Sequence, residues 1–169
     1  MKFLKIILNA VIIVIVVITL LQIALDSVFP YSSEEKIIDG FQSDSEPFDE
    51  IVKYLISPEI EEIFIYDDGE KWTHEPEHIQ GITDADIDRI IRIAKEKKYL
   101  IVEKTDSYIE FQLWANLDSS KGLIYSLIEE KPQKQYLTKT VPLSQKNWYY
   151  YETDINEYRR MRERGEVKD

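Results

Sequence analysis

The chain contains no cysteine. That excludes a disulfide framework, a thiolate nucleophile, a cysteine-held zinc and a lipid-modified N-terminal cysteine. It has only five glycines in 169 residues, and no glycine-rich phosphate loop can be assembled from them. No G-x-S-x-G elbow occurs. Histidine appears twice, at His74 and His78. Basic residues are outnumbered by acids, 21 against 32, for a net charge of −11. A chain without a basic face cannot neutralise phosphates, so no nucleic acid is expected as a partner.

Charge is also missing from one long stretch. Residues 6–25 are 20 consecutive uncharged residues, and 15 of them are Ile, Leu or Val. As a helix rising about 1.5 Å per residue they would span roughly 30 Å, the hydrocarbon thickness of a bilayer. A β-branched run such as Val11 to Ile18 favours strand in water, but lipid leaves an isolated strand unpaired and selects helix. Lys2 and Lys5 precede the stretch, while Asp26, Glu34 and Glu35 follow it. The positive-inside rule then puts the N-terminus in the cytoplasm and the remainder outside. The rival reading is a cleaved signal peptide, giving a secreted form of the same domain. The apolar stretch exceeds the 7–15 residues of a signal peptide, and residues 22–27 offer no small-x-small cleavage site.

The acidity is uneven. Residues 30–70 hold 13 acids and two lysines, whereas residues 71–169 hold 18 acids and 17 bases. The expected layout is a transmembrane signal anchor at 1–29, an acidic stalk at 30–46, an extracytoplasmic domain at 47–154 and a charged C-terminal helix or tail at 155–169. Without cysteines, and rich in Ile, Lys and Glu, the chain is expected to sit in a bacterial envelope.

Within the domain, Phe48, Ile51, Val52, Leu55 and Ile56 recur at helical spacing after Pro47. Ile63 to Tyr66 reads as a strand, with Asp67-Asp68-Gly69 as a tight turn into a polar return strand over 70–74. Thr83 caps a second helix that carries Ile87, Ile90, Ile91 and Ala94 on its apolar stripe. Period-two alternation predicts strands over 99–105 and 108–115, with a loop at 118–122 and further strands at 123–128 and 148–151. The fold expected is α+β: an N-terminal transmembrane helix, then an antiparallel sheet with one or two helices on one face.

Two motifs touch metal chemistry. His74-Glu75-Pro76-Glu77-His78 matches H-E-x-x-H, which needs two histidines one helical turn apart on a zinc. Pro76 breaks the helix that would bring them together. A metal-dependent hydrolase using His74 and His78 therefore stands as the alternative function, and no cofactor is expected. Asp84, Asp86 and Asp88 have the spacing of a calcium loop, but Arg89 replaces its glycine and Lys95 its final glutamate. The aromatic residues are the stronger lead. Tyr108 and Trp114 are expected on the sheet face opposite Ile109, Phe111 and Leu113, and Trp148 and Tyr150 lie on the last strand. These four are the candidate binding residues. The function expected is a non-enzymatic interaction module, held by lipid through its N-terminal helix and recognising another envelope protein.

Overall fold

The computed structural model describes residues 11–21, 33–66, 71–72, 81–128 and 130–167. The chain divides into two units, Met1–Ser32 and Ser33–Asp169. In the first, residues 11–21 form helix α1. Its Ile, Leu and Val side chains are half-exposed all round, from 49% at Val11 to 62% at Ile13. Thr19 donates its hydroxyl to the Ile15 carbonyl at 2.9 Å, so the polar residue is satisfied within the helix. Among the described residues no helix is long and apolar enough to cross a membrane. The ends of the expected span, residues 6–10 and 22–25, lie outside the described residues.

The second unit is α+β. Among the described residues four helices, α2 (Glu34–Ser43), α3 (Glu46–Leu55), α4 (Asp84–Lys97) and α5 (Ile155–Glu163), accompany seven strands. The strands are β1 (Ile63–Tyr66), β2 (Lys71–Trp72), β3 (Ile101–Lys104), β4 (Tyr108–Ala115), β5 (Ser119–Ser126), β6 (Leu137–Pro142) and β7 (Trp148–Asp154). They form one antiparallel sheet in the order β2-β1-β3-β4-β5-β7-β6.

Local chemistry explains the helix starts. Ser33 accepts the Lys36 amide at the head of α2. Thr83 and Asp86 form a reciprocal capping box on α4. Asp154 accepts the Glu157 amide at 2.8 Å, turning the end of β7 directly into α5. The expected stripe on α4 is off by one position: Ile93, not Ile91, joins Ile87, Ile90 and Ala94 in the interior.

One face of the sheet, the inner face, carries Ile63, Ile65, Val102, Ile109, Phe111, Leu123, Trp148 and Tyr150, all buried. Helices α2 and α3 bring Phe41 and Phe48 onto it. The Phe41 and Trp148 ring centroids are 4.8 Å apart, and Phe48 packs edge-on to Phe111 with centroids 5.3 Å apart. Tyr99 stacks on Phe48 at 4.8 Å. Helix α4 lies beside α3, where Arg89 forks onto Glu50 at 2.7 and 3.2 Å. Helices α2 and α3 thus pack on this side of the sheet, with α4 beside α3.

The acidic stalk expected at 30–46 is not a spacer where it is described. Ile37 and Phe41 of α2 are wholly buried, so burial of its apolar face draws this stretch into the domain. The domain accordingly begins at Ser33 rather than at 47, and α5 closes it. Strand β6, in a segment where the period-two pattern marks no strand, pairs along β7. Strand β5 starts at Ser119, inside the expected 118–122 loop.

Candidate functional site

Register assigns the sheet's other, outer face. Glu103 of β3 sits opposite Glu110 of β4, which sits opposite Ile124 of β5. Tyr108, Ile124 and Tyr151 form a small buried cluster here, with Leu137 against it. Among the described residues no helix stacks over this cluster as α2 and α3 do over the inner face. In the connection between β5 and β6, residues 130–136 form a strap whose Lys134 lies over the Tyr108 and Tyr151 rings of this cluster. Ser126 is 1% exposed and fixes the start of the strap by donating to the carbonyls of Ile128 at 2.7 Å and Glu130 at 3.0 Å. Pro132, within the strap, is buried.

Lys134 of the strap reaches down into the charged centre of this face. Its ammonium donates to Glu110 Oε2 and lies 3.9 Å from Glu103. It also stands over two rings, 5.7 Å from the Tyr151 centroid and 5.9 Å from that of Tyr108. Tyr151 donates its hydroxyl to the second oxygen of Glu110. Glu110 is 2% exposed and therefore has a donor on each oxygen, as a buried carboxylate requires. Glu103 has only a share of Lys134. Burial, then the adjacent Glu110 carboxylate, push Glu103 up to about 7. Burial also raises Tyr108 and Tyr151, which stay protonated.

Beside this centre the outer face opens into a cleft of about 390 Å³. Glu103, Tyr108, Gln112 and Lys134 line its inner end. Its outer rim is the β4–β5 turn, where Asn116 Oδ1 accepts the amides of Asp118 and Ser119 at 2.9 and 2.8 Å. Leu117 projects from that turn and is 99% exposed. Ser120 and Thr153, hydroxyls 2.7 Å apart, lie along the floor. Tyr136 forms a wall and holds a left-handed backbone, φ 59°, packed edge-on against Tyr158 of α5 at 5.6 Å. A bulky residue in that region is strained and persists only where packing imposes it.

The four aromatic candidates do not share a surface. Trp148 (2% exposed) and Tyr150 (0%) are inner-face core residues, so neither is available to a ligand. Tyr108 does face the cleft. Trp114 does not accompany it, because a bulge between Gln112 and Trp114 shifts the register. Trp114 instead opposes Lys121, whose ammonium lies 5.5 Å from its ring, and Lys121 pairs with Glu152 at 3.6 Å. His74 and His78 lie outside the described residues. Among the described residues no group of three or more metal-ligating side chains converges.

Sequence reasoning missed Glu103, Glu110 and Lys134. The signal for Glu110 was present, as a charged residue between Ile109 and Phe111 in an otherwise apolar strand. Nothing in the sequence pairs it with Glu103 until the β3–β4 register is known. No protein-family model, curated protein or solved structure matches the chain.

Proposed function

We propose that the chain is a single-pass, membrane-tethered interaction module of a bacterial envelope, with its N-terminus cytoplasmic and the domain beginning at Ser33 outside. In this reading the outer-face cleft recognises another envelope protein without catalysing a reaction. The observation that carries it is the asymmetry of the sheet. Its inner face is closed by an aromatic core, while its outer face keeps a cleft of about 390 Å³ with tyrosine walls and polar groups at both ends. The cleft is lined mostly by polar groups, with Tyr108 and Tyr136 among them, and tyrosine is enriched where proteins recognise one another. The strained Tyr136 at the wall supports the same assignment.

Tethering is supported by α1, which is apolar on every side and has exposed side chains throughout, as suits a helix whose solvent is lipid. The uncharged run of 6–25 around it has the length to span a bilayer.

The test places a photo-crosslinking residue at Leu117, on the cleft rim, or at Ile56, beyond α3, in the full-length chain in its own membrane. Both sites are exposed, at 99% and 49%. One discrete adduct from position 117 and none from 56 is the expected result. Equal adducts from both, or none from 117, would overturn the cleft as the recognition site. Release of the full chain by alkaline carbonate would overturn the tether separately.

A further inference from the structure

We propose that the Glu103–Glu110 pair is a proton-operated latch on the 130–136 strap, closed when one proton is held between the two carboxylates and released when that proton leaves.

The geometry sets the stoichiometry. Two carboxylates lie side by side as cross-strand partners, and a single ammonium, Lys134, serves both. Glu110 takes most of that charge, because Lys134 donates to it directly and Tyr151 donates to its other oxygen. Glu103 is left beside a buried anion, with side-chain exposure of 16% and a cation 3.9 Å away. Two carboxylates at this spacing with one cation between them do not both ionise cheaply out of water. The groups facing Glu103 are Glu110 and Tyr108 from β4, Lys134 from the strap, Tyr151 from β7 and Glu62 ahead of β1. Only Lys134 favours its ionised form.

The strap makes the proton site into a device. Lys134 is the strap's contribution to the centre, and the strap's cover helps keep both carboxylates dry. Lifting it hydrates them and removes the largest of the influences that hold the proton on Glu103, namely burial. The closed state therefore binds the proton more tightly than the open one. By linkage, falling pH closes the strap and rising pH opens it. Since Lys134 and Tyr108 also line the cleft, opening would reshape its inner end. This conclusion does not depend on what enters the cleft or on the tether.

Hydrogen exchange of the full-length protein in detergent tests the latch, corrected for the intrinsic pH dependence of amide exchange. The strap peptide 127–137 contains two amides with defined acceptors, Leu127 to Ser107 O and Leu137 to Lys134 O. The open fraction of this segment is expected to rise on the order of tenfold between pH 6 and pH 8. Glu103→Gln should make it flat, with the strap as protected at pH 8 as the wild type is at pH 6. Lys134→Met should open the strap at both pH values. Three results would overturn the proposal: pH-independent strap protection in the wild type, a pH slope surviving in Glu103→Gln, or strap exchange as slow as that of β7. The last would mean that the strap opens only when the whole domain unfolds.

Discussion

Gly122 of β5 presses against the Phe111 carbonyl of β4 so closely that a Cβ placed on it would stand 2.0 Å from Phe111 O. It would also meet the Tyr151 ring at 3.0 Å. Both neighbours are fixed, one as backbone and the other as a fully buried side chain. The close approach lies next to the bulge at Gln112/Trp114, where the paired strands change register. Gly122→Ala should therefore destabilise the domain by about 2–3 kcal/mol, at the upper end for overpacking. The midpoint of urea unfolding measures it. An unchanged midpoint would mean that β4 and β5 can separate at no cost.

Trp114 and Trp148 give opposite expectations from one residue type. Trp148 touches Phe41, Phe48, Phe111 and Tyr125 within the inner core. Trp148→Ala leaves a cavity among rings that cannot collapse into it, and should cost about 3–5 kcal/mol. Trp114 is partly exposed and loses chiefly its cation–π contact with Lys121, so Trp114→Ala should cost under about 1 kcal/mol. Equal losses in thermal unfolding would contradict the face assignment that the bulge produces.

The same two residues show how far the sequence could be read. Alternation along β4 correctly separates Ile109 and Phe111 from Tyr108 and Glu110, because each step of a strand reverses the face. It fails at Trp114, since one bulge reverses every later assignment and leaves no mark in composition. Strand β6 escaped notice because Thr138, Lys139 and Thr140 sit on an edge strand that is only half-buried and shows no apolar alternation. The start of β5 escaped because its buried pair, Ser120 with Thr153, is polar. A short helix around Glu34 to Asp39 is legible within the stalk, but its docking is obscured by its acids: Glu34, Glu35 and Asp39 mark solvent exposure, yet Ile37 and Phe41, four apart, are enough to dock it. The cleft was the least legible part. Its charged centre is made by register between β3 and β4 and by a lysine 24 residues beyond Glu110.

Stability should fall, not rise, as Glu103 ionises. Its folded value is raised to about 7 from an ordinary 4.5. A raised carboxylate contributes stability in full below the unfolded value, and that contribution is lost as pH climbs through the folded value. The window is thus about pH 4.5 to 7, with little further change above it. Glu103→Gln should match the wild type near pH 5 and exceed it at pH 8, by at most about 3 kcal/mol. Chemical denaturation of both proteins at the two pH values measures the difference. A variant weaker than the wild type at pH 8 would show that Lys134 compensates Glu103 fully.

Lys134 and Glu110 should behave as one unit. Glu110 is nearly sealed from water, and Lys134 reaches it with only 17% of its side chain exposed. Removing either partner leaves the other's charge buried or turned into the cleft. Glu110→Gln and Lys134→Met should each destabilise by about 2–4 kcal/mol, less for Lys134→Met because its loss also lets the strap lift and rehydrate the carboxylate. The double variant removes both charges together, so its loss should fall short of the sum of the single losses by about 1–3 kcal/mol. Tyr151 gives the cycle an internal control. Its hydroxyl can still donate to a glutamine oxygen at position 110, so Tyr151→Phe should cost about 1.5–3 kcal/mol against the wild-type carboxylate and nearer 1 kcal/mol in Glu110→Gln. Strict additivity of Glu110→Gln and Lys134→Met in urea unfolding would mean that the ion pair is not made in solution, and that the strap is held by Pro132 and Ser126 instead.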